Sequence, residues 1–433
     1  MIQRLLKIIL FLLVFLLLSL HGALAQESAQ HILAGNLLDV RTGQLKQNVL
    51  ISIQGNTITK ISYQLDLSEI DDYLDLSEYT VLPGLIDCHT HLTGPSFNKS
   101  LDVYELPIAS YGILGSLYAK KTLHAGFTTV RDVGGYFFSD VALRDAIKDG
   151  WIEGPRMYVS GKAITMTGGH GAWGNWMAPH LKLEPNPGNP VDGEVEVKKR
   201  ARTLIKSGVD LLKINATGGF GTSNSIPGAA SFSVEEIQAA VIEANKRGLR
   251  VAAHAHGADG IKNAIKAGVN SIEHGTFLDQ ESLDLMRQYG VYLVMDLLAA
   301  YISLIEMNED ITDKEIDQSN QELYYDYAKK FGMAYKKGVK MAFGTDASIF
   351  EHGRNAEQFK LMQDAGMKPL HIIQSATINA AELIGIDKKT GSVEDGKWAD
   401  LIAVKGNPLE NIEILEDVSF VMKDGKIYKS KTE

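Results

Sequence analysis

Seven side chains in this sequence are of types that hold a metal ion or move a proton, and each stands at or near the end of an apolar run. His89 and His91 close the run Val-Leu-Pro-Gly-Leu-Ile-Asp-Cys-His-Thr-His at 81–91. Side chains at i and i+2 of a strand share a face, so two imidazoles, the commonest metal ligands, converge on one spot. Alone, the pair is half a metal site or a plain buried pair. Partners elsewhere decide between the two. Lys213 stands in Leu-Leu-Lys-Ile-Asn, His254 and His256 in Ala-Ala-His-Ala-His-Gly, His274 in Ser-Ile-Glu-His-Gly, and Asp346 in Phe-Gly-Thr-Asp-Ala.

Lys213 is the unusual member. An ammonium among Leu211, Leu212 and Ile214 is costly to bury, and burial drives it toward the neutral amine. A neutral amine reacts with carbon dioxide to give a carbamate, an anionic oxygen ligand able to bridge two cations. A salt-bridged structural lysine is the plainer reading. Of His254 and His256, which share a face, only one need be a ligand; we expect His254, with His256 facing a substrate. Glu273 alternates away from His274 and reads as structural. Asp87, two residues before His89, is placed for a hydrogen bond to a liganding imidazole. Arg131 and Asp132 read as a structural ion pair at the rim.

These residues need strands that end together. Apolar, buried-type strands are predicted at 85–91, 127–133, 156–162, 211–216, 251–256, 271–275, 291–296 and 341–346. Segments of helical period follow them, and Ser233 before Glu235 and Glu236 marks a helix N-terminus. Eight β–α alternations over 81–388 argue for an α/β fold, a (β/α)8 TIM barrel, whose sites lie at the C-terminal strand ends. An open doubly wound sheet is the alternative, but no glycine-rich phosphate loop follows the first strand. Two links are long enough to wall a site. One, 163–192, holds Gly168-Gly169-His170-Gly171 with Trp173, Trp176 and Met177; the other is 217–232. His170 is a candidate carboxylate or oxyanion contact. A polar insertion at about 298–325 reads as helical.

The two ends have another character. Short alternating strands at His31–Gly35, Asn48–Ile53 and Thr57–Ser62 match others near 400–404, 418–422 and 426–428, with Asp424-Gly425 as a hairpin turn. Residues 26–80 and 389–433 are therefore expected to join as one small β-sandwich domain. Ahead of them, Arg4 and Lys7, the apolar stretch to Leu20 and Ala23-Leu24-Ala25 form a signal-peptide pattern over 1–25. Export to the periplasm or the medium is expected, with no stable membrane association after cleavage. The only cysteine is Cys88, so no intramolecular disulfide forms. At 433 residues, 45% apolar and 22% charged, with a net charge of −10, the chain is that of an ordinary globular protein. With no basic stretch carrying interleaved aromatics, nucleic acid is not an expected partner.

Over residues 31–429 the sequence resembles the amidohydrolase superfamily. The resemblance is carried by 82–91, Lys213, Ala-His-Ala-His-Gly (253–257), Glu-His-Gly-Thr (273–276) and Gly-Thr-Asp (344–346). Further matches are Gly-Phe-Thr-Thr-Val-Arg-Asp-Val-Gly (126–134), 375–385 and 391–401. Lys213 together with Thr-Gly-Gly-His-Gly (167–171) is most similar to the exported Xaa-Pro dipeptidase, or prolidase-like, branch. Imidazolonepropionase is similar in overall pattern but uses one metal and no bridging lysine. The resemblance implies two divalent ions, most often zinc. His89, His91 and Asp346 would hold one and His254 and His274 the other, with Lys213 as N6-carboxylysine between them. Asp346 would also serve as acid and base, with His256 and His170 at the substrate. The implied reaction is hydrolysis of an amide in a dipeptide or N-acyl amino acid. A cyclic amidase of the imidazolonepropionase or dihydroorotase type, and a non-catalytic binding protein on the same scaffold, are the alternatives. A homo-oligomer is expected by resemblance alone.

Overall fold

The computed structural model describes residues 29–63, 70, 72–94, 106–172, 175, 190–306 and 314–431. The signal-peptide reading and Trp173, Trp176 and Met177 lie outside them. In chain order, β1 (Gln30–Asp39), β2 (Gln44–Gln54), β3 (Thr57–Ser62) and β4 (Leu74–Pro83) come first. They are followed by β5 (Leu85–Thr90), β6 (Phe127–Asp132) and β7 (Arg156–Val159), then β8 (Leu211–Asn215), β9 (Arg250–Gly257), β10 (Ser271–Phe277) and β11 (Tyr292–Val294). The last three are β12 (Leu401–Lys405), β13 (Phe420–Lys423) and β14 (Lys426–Ser430).

The strands of the two ends meet in one mixed sheet of order β14-β13-β12-β4-β1-β2-β3, in which β1 and β4 are parallel. The expected sandwich is thus a single hydrogen-bonded sheet that curls over its own apolar face. Ile32, Val49, Ile51, Leu76, Leu401 and Phe420 share one buried cluster drawn from both ends. At the far edge, Ile58 N donates to Lys397 O, which returns β3 to the approach of β12. Asp424 (φ 52°) and Gly425 (φ 74°) form the β13–β14 turn, two successive left-handed residues suited to the twist of a hairpin.

Between the ends, β5-β6-β7 and β8-β9-β10-β11 form two parallel sheets. Their strands are buried nearly throughout, as apolar runs covered by helices require. Asp210 N donates to Val159 O and Ile164 bridges Ile214, linking β7 to β8. On the opposite edges lies the segment 341–347. Met341 bridges Leu293, Cys88 N donates to Phe343 O, and Ala347 bridges Thr90. This segment, expected as a strand over 341–346, forms only isolated bridges, and at its end Asp346 (φ 58°) leaves the extended conformation. The strand expected at 156–162 stops at Val159, and Gly161 beyond it turns with φ 64°.

Helices Ile108–His124, Ser139–Lys148, Gly193–Lys206, Val234–Asn245, Ala258–Ala267 and Gln280–Tyr289 alternate with these strands. Ser233 caps its helix as anticipated: its hydroxyl accepts from Glu236 N, and Glu236 accepts from Ser233 N at 2.8 Å. The insertion is helical over Leu297–Leu304 and Lys314–Lys336.

The boundary expected at 80/81 falls inside β4, which runs to Pro83 and passes through Gly84 directly into β5. A Cβ on Gly84 would lie 2.1 Å from Thr128 Oγ1, while its N–H donates to Asp400 O. Arg156 joins the two parts of the chain. Its guanidinium pairs with Asp400 at 2.6 Å and with Asp424, and stacks 3.9 Å from the Trp398 ring centroid.

Candidate metal centre

At the C-terminal ends of β5, β9 and β10 the histidines meet. Ring centroids lie 5.4 Å apart for His89–His91, 4.9 Å for His89–His274, 4.6 Å for His254–His274 and 4.5 Å for His254–His256. Ligand atoms of His254, His256 and His274 are all within 4.8 Å of one another, as are those of His89, His274 and Asp346. His274 belongs to both groups. Asp346 Oδ1 lies 3.1 Å from His91 Nε2 and 3.5 Å from His89 Nε2, so the two imidazoles of β5 aim the same nitrogen at one carboxylate oxygen.

The opposite nitrogens are tied down. His89 Nδ1 is 2.9 Å from Glu273 Oε2, His91 Nδ1 3.1 Å from Gly134 O, His274 Nδ1 3.0 Å from Asp296 Oδ1, and His256 Nδ1 2.7 Å from Thr276 Oγ1. Ligating histidines are oriented in this way, with the outer ring nitrogen on a carboxylate or carbonyl and the inner one free. His254 Nε2 is buried with no hydrogen-bond partner. An orphaned imidazole nitrogen beside two others is a poor arrangement for a dry core and a good one for a divalent cation. The donor set therefore fits a metal.

Backbone strain marks the same spot. His274 (φ 71°) and Asp346 (φ 58°) both hold the left-handed conformation, which is uncommon for non-glycine residues and here falls at two of the candidate ligands. Electrostatics agree. Burial first, and the neighbouring Lys213 and histidines after it, hold His89 well below the imidazole range; burial and the other histidines do the same to His254 and His256. These rings are neutral and free to donate a lone pair. Burial opposes the charged form of His91, but Asp346 outweighs it and raises the ring above its usual value. Burial likewise opposes ionised Asp346, yet the facing histidines hold its carboxyl well below the ordinary carboxylate range. Lys213, 3% exposed, is pushed down to about 8 by burial.

His170 stands on the loop after β7 with its ring stacked 4.3 Å from that of His254. Thr222 Oγ1 lies 2.9 Å from its Nδ1, and burial pushes it down to about 3. His89, His91, His170, His254, His256, His274 and Asp346 thus gather in one place, and Lys213 is buried near enough to act electrostatically on His89, His254 and His256.

Three supporting roles differ from expectation. Asp87 does not reach an imidazole; it accepts from His89 N, Thr345 and Asn355, clamping β5 to the 341–347 segment. Arg131 does not pair with Asp132, whose Oδ2 accepts from Leu92 N. Instead its Nη2 donates to Glu273 at 2.7 and 2.8 Å and its Nε to Cys88 O. Glu273 is therefore the acceptor behind His89 and no bystander. The signal was its place one residue before His274, obscured because strict alternation sends neighbours to opposite faces.

A mixed sheet from both chain ends, parallel strands between helices, and a histidine-rich centre suited to divalent metal define an α/β protein with a candidate metal centre. The model of the amidohydrolase family matches residues 80–428, and the chain belongs to that family. It is 32% identical over 431 residues to ochratoxinase of Aspergillus niger, covering 94% of this chain and 88% of that protein. Among solved structures it is similar to a Xaa-Pro dipeptidase with methionine bound in the active site: 41% identity, TM-score 0.87, 93% of this chain and all of that one. It is also similar to a prolidase complexed with N-methylphosphonate-L-proline, at 29% identity, TM-score 0.84 and coverage of 93% and 100%.

Proposed function

We propose that this protein is a binuclear amidohydrolase that cleaves the amide bond of Xaa-Pro or related dipeptides, or of N-acyl amino acids. In this reading the two parallel sheets and the 341–347 segment close as a (β/α)8 barrel. The observation that carries it is the pair of ligand groups sharing His274, with Lys213 buried and near enough to act electrostatically on His89. His89, His91 and Asp346 would hold one ion and His254 and His274 the other, and Lys213 as a carbamate would lie between. Zinc suits these nitrogen and oxygen donors. Divalent ions at such a centre supply Lewis-acid polarisation of a carbonyl and acidify water.

The chain's own groups do the rest. Asp346, ionised and facing the centre, takes a proton from the attacking water and returns it to the leaving nitrogen. Glu273, Asp296 and the Gly134 carbonyl hold the imidazoles of His89, His274 and His91 in one tautomer. His256 and His170 face the substrate and donate hydrogen bonds to its carboxylate or carbonyl oxygen. The relatives named with bound methionine and a proline phosphonate support an amino-acid-like substrate. Residues 1–25 would direct the protein out of the cytoplasm.

The test is elemental analysis of zinc-supplemented protein with a hydrolysis panel of Xaa-Pro, Xaa-Arg, Xaa-Lys and hydrophobic dipeptides beside imidazolone propionate. About two metal ions per chain and turnover of a dipeptide are expected. Metal-free protein, or turnover of the cyclic amide alone, refutes the reading.

A further inference from the structure

The loop after β8 lies directly against the candidate metal centre because of one glycine. A Cβ on Gly219 would sit 2.7 Å from both His170 Nδ1 and His254 Nε2, so only a residue without one lets the main chain cross there. Phe220 is thereby delivered to the mouth of the site. Its ring meets that of His256 edge-on at 5.0 Å between centroids and lies 6.3 Å from the ring of Phe277, the last residue of β10. Phe277 is fixed in its turn. Gly228 of the same loop passes it closely, with a Cβ there 3.1 Å from the ring, and Lys330 stands over it at 5.5 Å.

Yet 47% of Phe220 is exposed. The ring packs on His256 and Phe277 with one part and leaves the rest open. It holds an apolar surface open to water beside a histidine that faces the substrate. Burying such a surface against an apolar group is favourable in proportion to the area covered. A fixed ring with little freedom to lose is an efficient way to recognise that group.

We propose that Phe220, backed by Phe277, forms an apolar subsite next to His256 and selects amide substrates with a bulky apolar side chain or ring. This rests on the amide-hydrolysis reading and narrows it from dipeptides and N-acyl amino acids in general to their apolar members. Phe220 is a specificity-determining residue, not a catalytic one.

The zinc-loaded full chain and its Phe220→Ala and Phe220→Leu variants would be assayed on matched pairs: N-acetyl-phenylalanine against N-acetyl-alanine, and Leu-Pro against Gly-Pro. The wild type is expected to favour the apolar member of at least one pair in kcat/KM. Phe220→Ala should cut that ratio about 10-fold or more, the scale of losing apolar contact in a pocket, and Phe220→Leu should restore part of it. An unchanged ratio overturns the proposal, whether both rates fall together or neither does, and so does a wild type without preference. If no amide is hydrolysed, calorimetric binding of N-acetyl-phenylalanine and N-acetyl-alanine to the same proteins separates the two ideas. Apolar selectivity lost in Phe220→Ala upholds the subsite while the hydrolysis reading falls; equal selectivity in wild type and variant overturns the subsite as well.

Discussion

Replacing Glu273 with glutamine keeps the shape of the side chain and removes its charge. Glu273 is 0% exposed and Arg131 3%, and the guanidinium donates to both carboxylate oxygens and to Ser271. Taking one partner from a buried ion pair leaves the other uncompensated, at a cost of about 3–5 kcal/mol. At about 2 °C per kcal/mol for a chain of this size, the melting temperature of the metal-free protein should fall by about 6–10 °C. The second effect is local. His89 Nδ1 loses its charged acceptor, and loss of such a partner lowers metal affinity about 10–100-fold.

The two effects can be separated. In the double variant Arg131→Met, Glu273→Leu no charge is left unpaired, so most of the stability should return. His89 still lacks its acceptor, so zinc affinity should stay low. Thermal unfolding of metal-free protein and zinc competition against a chelator measure the two quantities independently. If Glu273→Gln melts with the wild type, the buried-pair argument is wrong. If the double variant binds zinc as tightly as the wild type, Glu273 merely balances Arg131 and does not orient His89.

Other consequences are open to direct measurement. Lys213, held near 8, reacts with carbon dioxide only as the neutral amine, roughly a tenth of the molecules at pH 7 and nine tenths at pH 9. At a fixed concentration of dissolved carbon dioxide, the initial rate of reconstitution with zinc should therefore rise through that window. His89, His254 and His256 are already neutral there, and His91, raised despite burial by Asp346, would change the rate without carbon dioxide as well; a profile flat in carbon dioxide would exclude the carbamate. Gly219→Ala puts a methyl group against His170 and His254; zinc titration should show the affinity lowered about 10-fold or more, and wild-type affinity would mean the loop yields freely. Arg156→Ala strips the partner from fully buried Asp400, and denaturant unfolding should show a loss of about 3–5 kcal/mol. A loss under about 1 kcal/mol would mean the cross-link is screened as a surface pair is.

The candidate ligand positions were legible because each is a polar residue at the end of an apolar run, and i, i+2 spacing fixes a common face without knowledge of the partners. Glu273 was not legible, since alternation points it away from His274. Alternation holds only while the pleat does. His274 and Gly275 both turn left-handed, at φ 71° and 72°, and the pairing of β9 with β10 slips beyond His274. Both neighbours therefore serve the centre. The same kind of break ends the extended run at Asp346. Asp87 and Arg131 were placed near the site correctly but given the wrong partners. Their partners, Thr345, Asn355 and Glu273, come from 140 residues or more along the chain, a pairing that local pattern does not encode. The curled terminal sheet was legible as two β-rich ends but not as one continuous ladder, because alternation reveals faces and not neighbours.

The passage of β4 through Gly84 into β5 bears on the order of events during synthesis. β4 is flanked by β1 on one side and β12 on the other, and β12 starts at Leu401. A nascent chain holds an open edge on β4 until β12 has been made, and such an edge invites pairing with another chain. The strand that carries His89 and His91 is the direct continuation of that edge. The histidine cluster is therefore expected to reach its final geometry only once β12 has been made, so metal loading would follow that step and not precede it. A truncation before residue 401 would then cost more than an end strand; it would leave the ligand-bearing strand without one wall of its anchor.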